Sequence, residues 1–284
     1  MIFVAVWISL VALLVIKMKG SGGDTTTPAP GYAEKNEQPK PEDIELLNAK
    51  LNGCAQHFQE FVSASDLASR ALHIINPDKT VPRMVRYYAA NSAIPFAGEI
   101  RNRYHHVIHT PAGTAIETGW NLNNEQQLDV VFFEDGDDWK MDWDAFVRFS
   151  SEPWALFLSA QGPTEGVFRV LARERIGAAG RDEEYIGLVV GAPRLGHPEE
   201  VVSPSPEIRV KRASEIGRRI EEAFRAREQG RGAFGSIAVQ DDPGEMIRLR
   251  VRMARVEGEE RSYKITELLA THWMEIEEPV VKAE

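Results

Sequence analysis

The densest run of chemically active side chains is Tyr104-His105-His106-Val107-Ile108-His109. Imidazoles ligate metals and carry protons, so their spacing decides what such a run can do. The flanking pattern is a strand's, which puts His105 and His109 on one face about 13 Å apart and His106 on the other. Strand histidines share one ion at i, i+2, so this is not a zinc signature, and the three are read as structural or solvent-facing. The single cysteine, Cys54, falls in the stripe Leu47, Leu51, Cys54, Phe58. That is helical core spacing and predicts a buried, inert thiol. A nucleophilic thiol would want a histidine beside it, and His57 lies one turn away on a neighbouring face. One cysteine also excludes an internal disulfide and a cysteine-rich zinc site. The acidic turn Glu134 to Asp138 lacks the ligand spacing and closing glutamate of a calcium loop and reads as a solvated hairpin tip. Arg248, Arg250 and Arg252 occupy one face of a strand, with Leu249, Val251 and Met253 on the other. With Arg218, Arg219, Arg225 and Arg227 on the preceding helix they form a candidate anion patch. No aromatic residues lie between these arginines for bases to stack on, and Glu221, Glu222, Glu257, Glu259 and Glu260 can neutralise them. A solvated, salt-bridged face is the expectation. No motif identifies a reaction or a cofactor.

The whole-chain balance narrows the partners. Net charge is −10. Residues 42–160 hold 9 basic and 17 acidic side chains, and residues 161–284 hold 20 and 23. This is not the charge of a general nucleic-acid binder. The first sixteen residues, Met1 to Ile16, carry no charge, and Lys17 and Lys19 come directly after them. As a helix they span about 24 Å, and Met18 with snorkelling lysine stems brings them close to the ~30 Å hydrocarbon core. A cleaved signal would want a basic region before the run and a small-x-small site after it. Neither is present, so residues 1–19 read as an uncleaved single-pass signal anchor with the lipid bilayer as partner. Residues 20–41 are rich in Gly, Thr, Pro and charge, the composition of a flexible linker about 25 Å long. The lysines favour a cytoplasmic location for the rest of the chain. A Thr/Pro/Ala tether favours the outside of the membrane, and that is the side expected here.

The elements follow from periodicity. Asp43 is expected to cap a helix carrying Ile44, Leu47, Leu51, Cys54, Phe58 and Phe61. Ser65-Asp66 opens a second with Leu67, Ala71, Leu72 and Ile75, which Asn76-Pro77-Asp78 breaks. A third begins at Thr80-Val81-Pro82. After Ile94-Pro95-Phe96 the period drops to two, giving antiparallel strands over 103–110, 114–122, 127–134 and 139–144, the last two joined by Asp135-Gly136-Asp137-Asp138. Asp144 and Ser151 each precede a short helix. Beyond Gly162-Pro163 strands are expected at 167–176, 184–190, 208–211, 237–239, 247–256 and 262–265, a loop at 191–206, and a helix capped by Ser214. The stretch 265–273 fits either a continued strand or a helix.

The fold class is therefore α+β: an NTF2-like or cystatin-like domain over 42–162, three helices on a curved antiparallel sheet, then a small β-rich domain over 163–284 whose strand order fits an OB-like barrel and also a second α+β sandwich. Asn76-Pro-Asp-Lys-Thr-Val-Pro-Arg-Met with Tyr87-Tyr88, and Phe132-Phe-Glu-Asp-Gly-Asp-Asp-Trp-Lys-Met-Asp-Trp-Asp-Ala-Phe-Val, resemble uncharacterised bacterial membrane-anchored proteins with an NTF2-like region. The resemblance covers about residues 66–159. It implies a fold and a tethered location and no established activity. Such relatives have a basic segment before the membrane helix, and this chain departs from them there. Cones of this kind are enzymes when a pocket between helices and sheet holds an acid or base, and Tyr88, His106 and Asp129 are the candidates. Fold analogy does not supply a site. The leading expectation is a membrane-tethered, non-enzymatic scaffold or binding module for a protein or small ligand. A ligand-binding or enzymatic cone comes second and a polyanion-binding module third.

Overall fold

The computed structural model describes residues 40–91, 100–122, 126–177, 180–258 and 261–283. The expected anchor, nearly all of the expected linker and Ile94-Pro95-Phe96 lie outside these residues. Among the described residues no helix is long and apolar enough to cross a membrane.

Helix α1 spans Pro41–Ser63. Proline at its first position loses nothing, because that N–H has no intrahelical acceptor. The helix thus starts ahead of the expected cap, and Asp43, in its first turn, accepts instead from His109 Nε2 at 3.0 Å. Cys54, Phe58, Phe61 and Val62 form its buried stripe. Helix α2 is only Leu67–Ala71, capped by Asp66 through the Ser69 amide. The expected continuation to Ile75 is replaced by pairing: Met141 N donates to His73 O, and Ile75 N donates to Met141 O, both at 3.0 Å. Helix α3 spans Pro77–Ala90, three residues earlier than expected. Proline keeps Asn76 out of helical space, and Asn76 turns left-handed at φ 49°. The same proline then serves as the first helical residue, so the expected breaker is a start signal. Pro82 sits inside the helix.

Strands β1 (Ile100–Thr110), β2 (Gly113–Leu122), β3 (Gln127–Asp135) and β4 (Asp138–Met141) form an antiparallel sheet in sequence order. Asp142, not Asp144, caps α4 (Trp143–Phe146) through the Ala145 amide. Helix α5 (Trp154–Leu158) starts after Pro153, while Ser151 Oγ accepts from Val167 N. One face of the sheet packs on the helices through Phe58, Trp120, Leu128, Phe132 and Trp139, with Phe146 edge-on to Phe58. The opposite face buries Ile108, Ala115, Val131 and Phe133 against Met274 and Ile276 from the end of the chain. The second half therefore covers the outer face of the first sheet.

That half holds a second antiparallel sheet, built from β5 (Glu165–Glu174), β6 (Tyr185–Arg194), β7 (His197–Val202), β8 (Ile208–Lys211), β9 (Ile247–Arg255), β10 (Tyr263–Ala270) and β11 (Val281–Lys282). Its order is β11-β10-β9-β5-β6-β7, with β8 also on β6. Helix α6 (Glu215–Glu228) is capped by Ser214, as expected, and buries Ile216 and Ile220 in this sheet's core. Two expectations fail here. Residues 191–206 are not a loop, because β6 runs on and turns back as β7. Residues 238–241 form a 3-10 turn rather than a strand. A run as short as Ile-Ala-Val fits several conformations, and tertiary contacts choose. Residues 263–270 resolve as strand. Helices with antiparallel sheets make the molecule α+β, and the described residues belong to one compact unit.

Candidate functional site

Facing rows of charge meet where β9 lies against the outer face of the first sheet. Period-two geometry puts Arg248, Arg250 and Arg252 on one side of β9, while Leu249, Val251 and Met253 enter the core of the second half. The arginine row is not the solvated face expected from sequence. Arg248 is largely buried, donates to both oxygens of Asp242 at 2.6 and 2.9 Å, and reaches Asp129 Oδ2 at 3.1 Å and Ala238 O at 3.1 Å. Burial opposes its charge, but Asp242 and Asp129 outweigh burial and hold the guanidinium firmly protonated. Arg250 is buried on Glu275 at 2.7 Å and on Ile276 O at 2.8 Å. Arg252 alone is at the edge, paired with Glu267 at 2.8 Å. Among the described residues the acids that neutralise the row are Asp129, Asp242 and Glu275 at the seam, Glu267 on β10 and Glu165 on β5.

Asp129 is the hub on the other side. It accepts from Tyr104 Oη at 3.0 Å, Arg248 at 3.1 Å and Arg103 at 3.5 Å, with Arg148 Nη2 at 3.6 Å. Arg103 also grips both oxygens of Asp241, at 3.0 and 2.6 Å. Tyr104 reaches Asp129 across Gly119, where a Cβ would stand 2.2 Å from its ring. One strand over, the buried Glu117 accepts from Ser236 Oγ (2.6 Å), Ile237 N (2.9 Å) and Ala238 N (3.1 Å), so an acid of the first half caps the 3-10 turn of the second. Burial pushes its carboxyl up, against Ser236, the Arg248 charge and the Ala238 amide. Two guanidiniums lie over the Trp273 ring, Arg248 at 4.4 Å and Arg148 at 5.4 Å from its centroid. The space these groups leave is a cavity of about 40 Å³ lined by Glu117, Asp129, Arg148 and His272 among others. That is room for about one water molecule.

A second cluster sits at the mouth of a larger concavity. Glu275 receives Arg169 at 2.6 Å, Arg250 at 2.7 Å and Arg83 at 3.5 Å. Burial works against its charge, but these arginines hold the carboxyl below its ordinary range. Arg169 also donates to Trp273 O and Phe149 O. Arg83 pairs with the buried Asp144 at 2.9 Å. Asp142 accepts from the amides of Ala145 (3.0 Å) and Glu275 (2.6 Å), tying helix α4 to the chain's end. Beside these groups opens a groove of about 1050 Å³ between α3, the Pro111-Ala112 turn and residues 275–280. Lys79 and Arg86 are exposed on its α3 wall.

The pocket proposed from sequence is not assembled. Tyr88 packs among the helices, with Tyr87, Trp143 and Arg70 around it. Asp129 points to the opposite face of the sheet, and His106 is on edge strand β1 in register with Glu117. Burial pulls the His106 pKa down. The histidine run does not converge either: His109 bonds Asp43 and His105 bonds Asn102. Cys54 is fully buried, and burial pushes its thiol up to about 12, as expected of an inert core cysteine. Reading the sequence missed Glu117, Asp142, Arg148 and Arg169. A signal was present in β3, where Leu128-Asp129-Val130-Val131-Phe132-Phe133 is too apolar on both faces for a half-solvated strand. Donor atoms able to share a cation converge, among the described residues, at His57, Glu60 and His73 and at His197, Glu199 and Glu200. Compared with known proteins, the chain matches no protein-family model, and no curated protein or solved structure is significantly similar to it.

Proposed function

We propose that this chain is a membrane-tethered, non-enzymatic binding module that engages its partner in the open groove between α3 and residues 275–280. The observation that carries the reading is the groove itself, about 1050 Å³ and rimmed by exposed Lys79 and Arg86. The space between helices and sheet, where a cone enzyme would hold its substrate, is filled by Phe58, Trp120, Phe132 and Phe146. The cavity at Asp129 is of water size. These volumes favour a binder over the enzymatic cone. The polyanion reading draws less support, because Arg248, Arg250 and Arg252 already hold carboxylates. The uncharged run before Lys17 supplies the tether in this reading, with the folded part outside the cytoplasm. Three helices on a four-stranded antiparallel sheet support an NTF2-like or cystatin-like first half. The strand-rich order around α6 is the basis for an OB-like second half.

The test is site-directed photocrosslinking in intact membranes. A photoreactive residue at Lys79 or Arg86 is expected to trap a discrete partner, and one at exposed Arg175 is expected to trap none. Equal products at all three positions would overturn the groove as the binding surface. In the same membranes alkaline carbonate is expected to leave the full chain in the pellet and to release a chain lacking residues 1–19.

A further inference from the structure

Away from the seam, α1 and the segment after α2 bring three ligand-type side chains to one point, and the start of β4 places a carboxylate behind one of them. His57 and Glu60 lie one turn apart on α1, on the same face. His73 is held by the pairing of residues 73–75 with Met141. Its Nδ1 lies 2.9 Å from His57 Nδ1 and 3.7 Å from Glu60 Oε2. The far side of His57 is fixed as well: Nε2 contacts Asp138 Oδ1 at 2.8 Å. A carboxylate only accepts, so Nε2 carries the hydrogen, and the lone pair of Nδ1 accepts from His73 Nδ1, whose hydrogen a bound cation would replace. Glu60 is fixed in the same way, since Gln56 Nε2 donates to Oε1 at 2.9 Å and leaves Oε2 toward His73. Two imidazole nitrogens and one carboxylate oxygen thus share a point, with a carboxylate behind one histidine.

From this geometry we propose that His57, Glu60 and His73 form a binding site for a divalent first-row transition cation of the zinc type, with Asp138 as the positioning residue behind His57. At metal–nitrogen bonds near 2.05 Å, a 2.9 Å nitrogen separation subtends about 90° at the ion, the angle of a five- or six-coordinate site. The mixed N,N,O donor set suits zinc, cobalt or nickel, whereas magnesium and calcium take oxygen ligands. A carboxylate on the remote nitrogen of a ligating histidine fixes its tautomer and raises its basicity. The histidines are largely buried and Glu60 is half-exposed, so the cation enters from the Glu60 side and the remaining positions face solvent. Once bound, it joins the long first helix to the turn before α3 and to the β3–β4 hairpin.

The experiment is titration of the full chain, in detergent after removal of metals, with zinc chloride by calorimetry and cobalt chloride by visible absorption. One equivalent of zinc with a dissociation constant in the micromolar range or tighter is expected, with a cobalt spectrum that zinc abolishes and magnesium does not. His57→Gln and His73→Gln are expected to weaken zinc binding at least 100-fold, and Asp138→Asn about 10- to 100-fold. Glu60→Gln, at the solvent edge where folding is not at stake, is expected to weaken it about 10-fold and decides the matter if a histidine variant does not fold. Absence of stoichiometric zinc uptake would overturn the site, as would uptake unchanged in Glu60→Gln and His57→Gln chains that melt like the parent without metal.

Discussion

Residues that read as ordinary caps or strand polar positions carry the unusual electrostatics. Asp142 is an example: its place before α4 is a standard capping position, and its partner Glu275 lies far off in the sequence. Burial pushes its carboxyl up to about 6, ahead of the opposing effects of Arg169 and the two amides. The ordinary value is 3.8, so the folded state binds this proton more tightly than the unfolded state does. The stabilisation from the proton is complete below pH 4 and is lost as the pH rises through about 6. Relative to Asp142→Asn, the parent is expected to lose up to about 3 kcal/mol between pH 4 and 6.5. Urea unfolding of both proteins across that range checks it, and a constant difference would refute the assignment. Cys54 was legible because a local period fixed its burial. Asp129 and Arg248 were not: their neighbours give the same alternating pattern whether the polar face meets water or another charge.

At the scale of elements, strands and helices with a clear period were read to within a few residues, and the errors cluster where proline or glycine has two uses. Pro77 ends one element and begins another. Pro193 and Pro198 sit in a hairpin at the margin of the sheet, where a missing N–H is tolerated, so residues 191–206 look like a loop in sequence. The terminal segment was the least legible element, because residues 271–280 have no periodicity and take their role entirely from the surface they cover. Trp273, Met274 and Ile276 are buried, and Glu275 meets three arginines. A chain ending at Ala270 leaves Arg169 and Arg250 without their carboxylate and Val131 and Phe133 without cover. Breaking a buried ion pair on one side costs about 3–5 kcal/mol, so this truncation is expected to lower stability by at least about 5 kcal/mol. Ending the chain at Pro279, which removes little more than β11, is expected to cost far less. Thermal and urea unfolding distinguish the two.

For the molecule as a whole, composition and patterning give α+β and two sheets. They do not reveal that one sheet is covered on both faces. The boundary at 162/163 separates two runs of strands, yet Glu117 caps a turn of the second half and Asp129 holds an arginine of it. An isolated first half would expose Ile108, Ala115, Val131 and Phe133 together with charges that have lost their partners. A fragment of residues 40–162 is therefore expected to bind hydrophobic dyes, show poorly dispersed amide resonances and aggregate, and to recover on mixing with residues 163–284. A monomeric, cooperatively melting fragment would overturn the interdependence of the halves.

The covering of that sheet by the final residues also sets a timetable. Phe133 leaves the ribosome well before Ile276, and at about 5–20 residues per second the interval is roughly 7 to 30 s. Throughout it the apolar, charge-studded face of β1–β4 lacks its cover. Synthesis of this protein thus includes an exposed phase, during which chaperones compete with self-association for a surface that the finished molecule hides.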